Sequence, residues 1–239
     1  MFRIAWMVAG IALLGVTAFA SGRGIAPDVS REREAPPGTE AETFKPGVWK
    51  SLFNGRSLEG WKQTPFSGGG DVQVEPKFRG KGPAIVVRAG LALSGFHWVG
   101  RALPRTRYEI ALEALKIDGN DFLCGLTFPV GDTYATLVLG GWGGGVVGIS
   151  SVDGRDASEN ETTRYMGFTR DRWYRVRLRV TPARIEAWLD DKPIVDLELA
   201  GKTIGLRRGE IDRSIPLGIS TYQTSAAFRS IRMRVLEHP

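Results

Sequence analysis

The sequence predicts an all-β chain folded as an antiparallel two-sheet β-sandwich or jelly roll, and three observations carry that expectation. Apolar and polar residues alternate with period two along most of the chain, as they do where one face of a sheet is buried and the other is wet. Turn signals separate the alternating runs, among them Pro129-Val130-Gly131-Asp132, Asp153-Gly154, Thr181-Pro182 and Asp190-Asp191-Lys192. Thirty-one glycines and thirteen prolines, with no convincing helix between the runs, suit a turn-rich β protein. With 239 residues, 42% of them apolar, there is material for one generous domain with a real core.

From the N-terminus, Arg3, an apolar run over residues 4–16 and the small residues of Ala18-Phe19-Ala20 read as a signal peptide over residues 1–20, cleaved after Ala20. Left uncleaved, that run is near the lower limit for spanning a bilayer, so a membrane partner is expected only in that case. No cysteine follows it to carry a lipid. Residues 21–46, poor in large apolar side chains and rich in proline and charge, are expected to form a disordered, solvated linker. The sandwich domain is then expected over residues 47–236, in a secreted or periplasmic protein. Removing Arg3 lowers the formal charge from +6 to +5, spread over a chain with 26 acidic side chains and no Lys/Arg block, so nucleic acid is not an expected partner.

The first strand is expected at residues 48–53, followed by the turn pair Asn54-Gly55 and by Trp61 folding back as a core anchor. Tyr108, Ile110 and Leu112 share one face of the next clear strand, with Glu109, Ala111 and Glu113 on the other. Further strands are expected at residues 122–128, 133–139, 145–150, 173–180, 184–189, 193–199, 217–222 and 227–235. Cys124, the single cysteine, lies among Phe122, Leu123 and Leu126 and reads as a small buried side chain, so no intrachain disulfide forms and stability must come from the core.

At these residues the chain resembles a known family. L-F-N-G-R-S-L-E-G-W is similar to the opening signature of the 3-keto-disaccharide hydrolase domain family. Y-E-I-A-L-E, D-R-W-Y-R-V-R-L-R-V, R-I-E-A-W-L-D-D-K-P-I and A-A-F-R-S-I-R-M-R follow in the family's order, over about residues 49–235. The resemblance implies a concanavalin-like jelly roll related to family 16 glycoside hydrolases, and an exported protein acting on carbohydrate, with hydrolysis of oxidised disaccharides as the family's named activity. The chain departs from the pattern at Leu123-Cys124-Gly125-Leu126-Thr127-Phe128, and again at Ala135 and Leu137 after Tyr134, where the family commonly carries polar, acidic or amide side chains.

An ordinary glycosidase needs two carboxyl groups, one kept protonated by its surroundings. A 3-keto sugar is easier to open by elimination, because the carbonyl acidifies the C2 proton, and that route needs one base and one cationic or hydrogen-bonding group for the enolate oxygen. Glu113 and Asp121 are the candidate bases; as alternatives, Glu109 and Glu113 belong to a solvated sheet face and Asp121 to a turn. Arg175, Arg177 and Arg179 project from one face, and Arg175 and Arg177 are candidate clamps if that face is the concave one, or else ordinary surface charge. Trp142, bare among glycines in L-G-G-W-G-G-G-V-V-G, is a candidate stacking platform for a sugar ring or a plug at the end of the sandwich. His97 and Tyr222 complete the candidate substrate-binding set, while His238 lies at the chain end. The glycine-rich passage is no phosphate loop, since no Lys-Ser/Thr follows it, and no cofactor is expected. Asp153, Asp156, Glu159, Asn160 and Glu161 gather oxygen ligands without EF-hand spacing, so a salt-bridged lid is expected there and no metal. Two functions remain open: an exported enzyme cleaving glycosidic bonds, and a lectin-like module that binds glycans without chemistry.

Overall fold

A computed structural model describes residues 44–237 of the chain. The expected signal peptide, most of the expected linker and His238 lie outside the described residues.

The described residues form fifteen strands: β1 (Lys50–Ser51), β2 (Trp61–Gln63), β3 (Val72–Glu75), β4 (Ala84–Val87), β5 (Leu93–Trp98), β6 (Tyr108–Gly119), β7 (Cys124–Val130), β8 (Thr133–Gly141), β9 (Val146–Ser150), β10 (Arg164–Tyr165), β11 (Trp173–Val180), β12 (Arg184–Leu189), β13 (Lys192–Glu198), β14 (Gly218–Tyr222) and β15 (Thr224–Val235). The only helical pieces among the described residues are 3-10 turns at Phe78–Gly80 and Glu210–Ser214. The strands form an eight-stranded sheet in the order β13-β12-β11-β6-β15-β4-β3, with β1 also on β15, and a seven-stranded sheet in the order β10-β9-β8-β7-β14-β5-β2. All pairings in both sheets are antiparallel, as the alternation requires.

The two sheets face each other across one core. Tyr108, Ile110, Leu112 and Ala114 of β6, with Val176, Leu178 and Val180 of β11, meet Leu126 and Phe128 of β7, Leu137 and Leu139 of β8, and Ile219 of β14. Each Val, Leu, Ile or Phe among them, fully buried, contributes about 1.5–3 kcal/mol. At one end Trp61, Phe96 and Phe228 stack edge to face with centroids 5.0 and 5.9 Å apart.

The opening motif joins the two sheets. β1 is shorter than expected, only Lys50–Ser51 on the free side of β15, and Asn54 Oδ1 then accepts the N–H groups of Arg56 and Ser57, closing an Asx-type turn. That turn delivers Trp61 to the other sheet, where its indole N–H donates to the Leu52 carbonyl at 2.7 Å. The twelve-residue β15 pairs with β6 along one side and with β4 and then β1 along the other, and a bulge between Arg229 and Arg232 sets the left-handed Ser230 into the strand. Upstream, Phe44 packs against the core and the Gly47 N–H donates to the Val235 carbonyl. No helix among the described residues is long and apolar enough to cross a membrane.

Candidate functional site

Strict alternation gives each sheet an outward face, and the two faces differ. On the seven-stranded sheet the outward residues at its centre are small: Gly125 and Thr127 of β7, Thr136 of β8 and Ser220 of β14. The hydroxyls of Thr127 and Thr136 lie 3.0 Å apart, and a Cβ on Gly125 would stand 2.7 Å from Ser220 Oγ. Next to them, Thr136, Val138 and Ser150 line a cleft of about 400 Å³, walled by the larger side chains of Phe122, Trp142, Tyr222, Arg207, Arg208 and Glu210.

Trp142 reaches the cleft through the connection between β8 and β9. Trp142, Gly143 and Gly144 have φ of 49°, 88° and 102°, a left-handed run that glycine adopts freely and tryptophan does not. The turn is tied from outside: Asp121 Oδ2 accepts the Gly143 N–H at 2.8 Å, and Asp121 Oδ1 accepts the Phe122 N–H at 2.8 Å. The indole is 42% exposed, with the Arg207 guanidinium 5.7 Å from its ring centroid. Phe122 and Tyr222 lie with ring centroids 5.8 Å apart. Arg207 also meets Asp156 at 3.3 Å. Glu210 accepts hydrogen bonds from the side chain and backbone of Ser67 and pairs with Arg213, which together hold its carboxyl below the usual range. Beneath the glycine-rich turn lies Lys116, 7% exposed; burial lowers its ammonium pKa, with Asp121 opposing the shift.

The expected site residues fall into three places. Asp121, Trp142 and Tyr222 line the cleft together. Glu113, Arg175 and Arg177 do not join them; they lie on the outward face of the eight-stranded sheet, on the far side of the core. The expectation that all of them share one concave face is thus corrected, and the cause is local. Glu113 keeps the parity of Glu109, away from the core, whereas Asp121 follows Gly119, whose φ of 105° ends β6 and lets the chain pass to the other sheet. On that far face Arg229 and Ser230 donate to Glu113, and although burial pushes its pKa up, those bonds and the Arg229 charge hold it lower than usual. Arg175 pairs with Asp191 at 2.7 Å and Arg177 with Glu109 at 3.2 Å. His97 points outward from β5, away from the cleft walls, with Nδ1 3.0 Å from Thr64 Oγ1; burial and then the Lys62 charge lower its pKa. Ala135 and Leu137, which depart from the family pattern, face the core, and Thr136 between them lines the cleft.

Sequence reasoning missed Arg207, Arg208 and Glu210. The run R-R-G-E between β13 and β14 was the available signal, but alternation says nothing about where a loop returns. The expected salt bridges of residues 153–161 are present, in a segment that does not line the cleft: Lys202 pairs with both Asp153 and Glu161, and the Asn160 side chain holds the carbonyls of Ile149, Arg155 and Asp156.

Residues 48–234 match the family model described as the 3-keto-alpha-glucoside-1,2-lyase-like domain. The chain belongs to this carbohydrate-related family. It is the one that the opening and closing motifs resemble. No curated protein matches the chain. Among solved structures, the chain is similar to the apo Crh5 transglycosylase (9% identity, 80% of this chain and 85% of that one, TM-score 0.51). It is similar to a protein of unknown function with a galectin-like fold from Bacillus subtilis (12% identity, 81% and 100%, TM-score 0.50) and to the carbohydrate-binding module CBM66 from Bacillus subtilis (13% identity, 73% and 95%, TM-score 0.46). At such identities the first two likenesses concern the fold, an antiparallel two-sheet jelly roll.

Proposed function

We propose that the protein is an exported carbohydrate-active domain whose cleft binds a saccharide against Trp142 and opens 3-keto-glycosides by elimination. The observation that carries this reading is the Trp142 ring, held exposed by a left-handed backbone in a cleft it shares with Thr136, Ser150, Asp121 and two arginines. An aromatic face beside polar groups suits a sugar ring, which is apolar on its faces and hydroxylated at its edge. Asp121 is the base that takes the C2 proton. The electron pair forms the C1–C2 double bond as the C1–O bond breaks, and the departing oxygen leaves as an alcohol after taking up a proton. Arg207 and Arg208 stabilise charge on the C3 oxygen while it is enolate-like.

A lectin-like reading is favoured by one observation: both cleft carboxylates are already engaged as acceptors, Asp121 by two backbone N–H groups and Glu210 by Ser67 and Arg213.

The experiment is to follow a 3-keto-disaccharide and its parent disaccharide by NMR with purified protein. The wild type should consume the keto-sugar, and Asp121→Asn should lower turnover by about 10²- to 10⁴-fold, a larger loss than the weakening of binding that follows from freeing one of the two backbone N–H groups it holds. Trp142→Ala should weaken binding first. Trp142-dependent binding without turnover leaves the lectin reading; neither binding nor turnover rejects both. Export is checked by mass spectrometry of protein from its native host, with Ser21 expected as the new N-terminus.

A further inference from the structure

The outward face of the eight-stranded sheet is built in rows that run across the strands. In one row Arg179 of β11, Glu109 of β6 and Arg234 of β15 are register partners; four residues along β6, so are Arg175, Glu113 and Arg229. In each of these rows the central β6 residue is a glutamate that accepts a charge-assisted hydrogen bond from a neighbouring arginine: Glu109 from Arg179 and Arg234, Glu113 from Arg229. The row between them has the same flanks, Arg177 and Arg232, but its centre is Ala111. Two guanidinium groups therefore flank a position where the pattern of the sheet places a carboxylate and the sequence supplies a methyl group. Arg177 reaches sideways to share Glu109, already held by two other arginines, and Arg232 makes no ion pair among the described residues. Above Ala111 lies a cavity of about 400 Å³, bounded by Trp49, Glu113, Trp188, Ser230 and the Arg175–Asp191 ion pair as well as the two arginines. The indoles hold the cations in place: the Arg177 guanidinium lies 3.8 Å from the Trp188 ring centroid and Arg232 lies 4.9 Å from that of Trp49. Fixing them this way lowers the entropy lost when they bind an anion.

We propose that this face is a second binding site, distinct from the cleft, in which a carboxylate from a uronic acid unit of a glycan takes the vacant central position over Ala111, bridging Arg177 and Arg232 as Glu109 bridges Arg179 and Arg234. A planar carboxylate matches the guanidinium fork, and a cavity of this volume admits a sugar-sized group rather than a protein surface. The site does not depend on the chemistry assigned to the cleft.

The test is calorimetric titration with oligogalacturonate, with a neutral galactose oligomer of equal length as control. The acidic oligomer should bind and the neutral one should not, with affinity falling as salt is raised. Arg232→Gln, at an exposed position, should weaken binding about tenfold or more, as loss of a hydrogen bond between charged groups implies. Ala111→Glu, which gives the middle row its own carboxylate, should abolish binding without lowering the melting temperature. Trp142→Ala, on the other sheet, should leave the isotherm as it was. Equal binding of the neutral oligomer, indifference to Arg232→Gln or Ala111→Glu, or loss with Trp142→Ala overturns the proposal. Binding of polyglutamate as tight as that of oligogalacturonate overturns its assignment to a glycan.

Discussion

Glu109 is fully buried, and three arginines, Arg177, Arg179 and Arg234, converge on its carboxylate. Burial alone pushes its pKa up, but the hydrogen bonds and charges of Arg179 and Arg234 outweigh that and hold it below the usual range. Breaking a buried charge network by removing one partner costs about 3–5 kcal/mol, because the remaining charges lose their counterion. Glu109→Gln should therefore lower the melting temperature by roughly 6–20 °C, at about 2–4 °C per kcal/mol for a domain of this size. The pH dependence has a definite sign. A carboxyl whose folded pKa lies below its unfolded value stabilises the fold above the unfolded value, and the gain is lost as pH falls through the folded one. Glu113, lowered by Arg229, adds in the same direction. Thermal melts should thus be flat near neutrality and fall in acid below the ordinary glutamate range, and the fall should be shallower in Glu109→Gln. Equal acid slopes in the two proteins would show that other carboxyls set the response. The alternation in Y-E-I-A-L-E put Glu109 on the outward face, as observed, but made that face solvated. Its partners come from β11 and β15, about 70 and 125 positions away, and a period-two pattern holds no information about such distant pairings.

At the scale of elements, strands that alternate over several residues were legible and short ones were not. β11 and β12 match their expected bounds, and β6 runs on from Glu113 to Gly119 because Ala114, Leu115 and Ile117 stay apolar on both faces. There the outward face meets a small cluster with Phe78, Val86 and Ala227. β3, β4 and β5 escaped the sequence reading: V-Q-V-E is only four residues long, A-I-V-V does not alternate, and glycines interrupt both flanks. The glycine-rich connection was recognised as unusual, but its direction depends on Asp121, which the sequence presents only as a base or a turn residue. Two neighbouring substitutions test that connection. Gly143 and Gly144 both have positive φ, so alanine at either is strained by about 1–3 kcal/mol. A Cβ at Gly143 meets nothing within 4 Å, whereas at Gly144 it would stand 2.9 Å from the Asn120 carbonyl oxygen. Gly144→Ala should therefore displace Trp142 and weaken saccharide binding in the cleft several-fold more than Gly143→Ala, read by quenching of tryptophan fluorescence on titration. Equal losses would mean that strain alone, and not the approach to Asn120, governs the turn.

For the molecule as a whole, the lone cysteine was the clearest statement in the sequence, since it left the core as the only covalent-free means of holding two sheets together. Cys124 is fully buried on β7, paired in register with Leu139, and burial pushes its thiol up to about 12. The thiolate is the reactive form, so in the native state the side chain is shielded twice, by packing and by protonation. Reductant should leave the melting temperature unchanged. Alkylation should require an opening that carries β7 away from the facing sheet, and because both sheets share one core, the smallest such opening is expected to be global unfolding. In that case labelling of Cys124 reports the unfolding equilibrium, and a substitution on the opposite outward face must change it. Glu109→Gln, at about 3–5 kcal/mol, should accelerate iodoacetamide labelling by about 10²- to 10⁴-fold at pH 8, although Glu109 and Cys124 stand on different sheets. A labelling rate unchanged by Glu109→Gln would mean that the seven-stranded sheet opens around β7 by itself, and the sandwich would then consist of two separately unfolding layers.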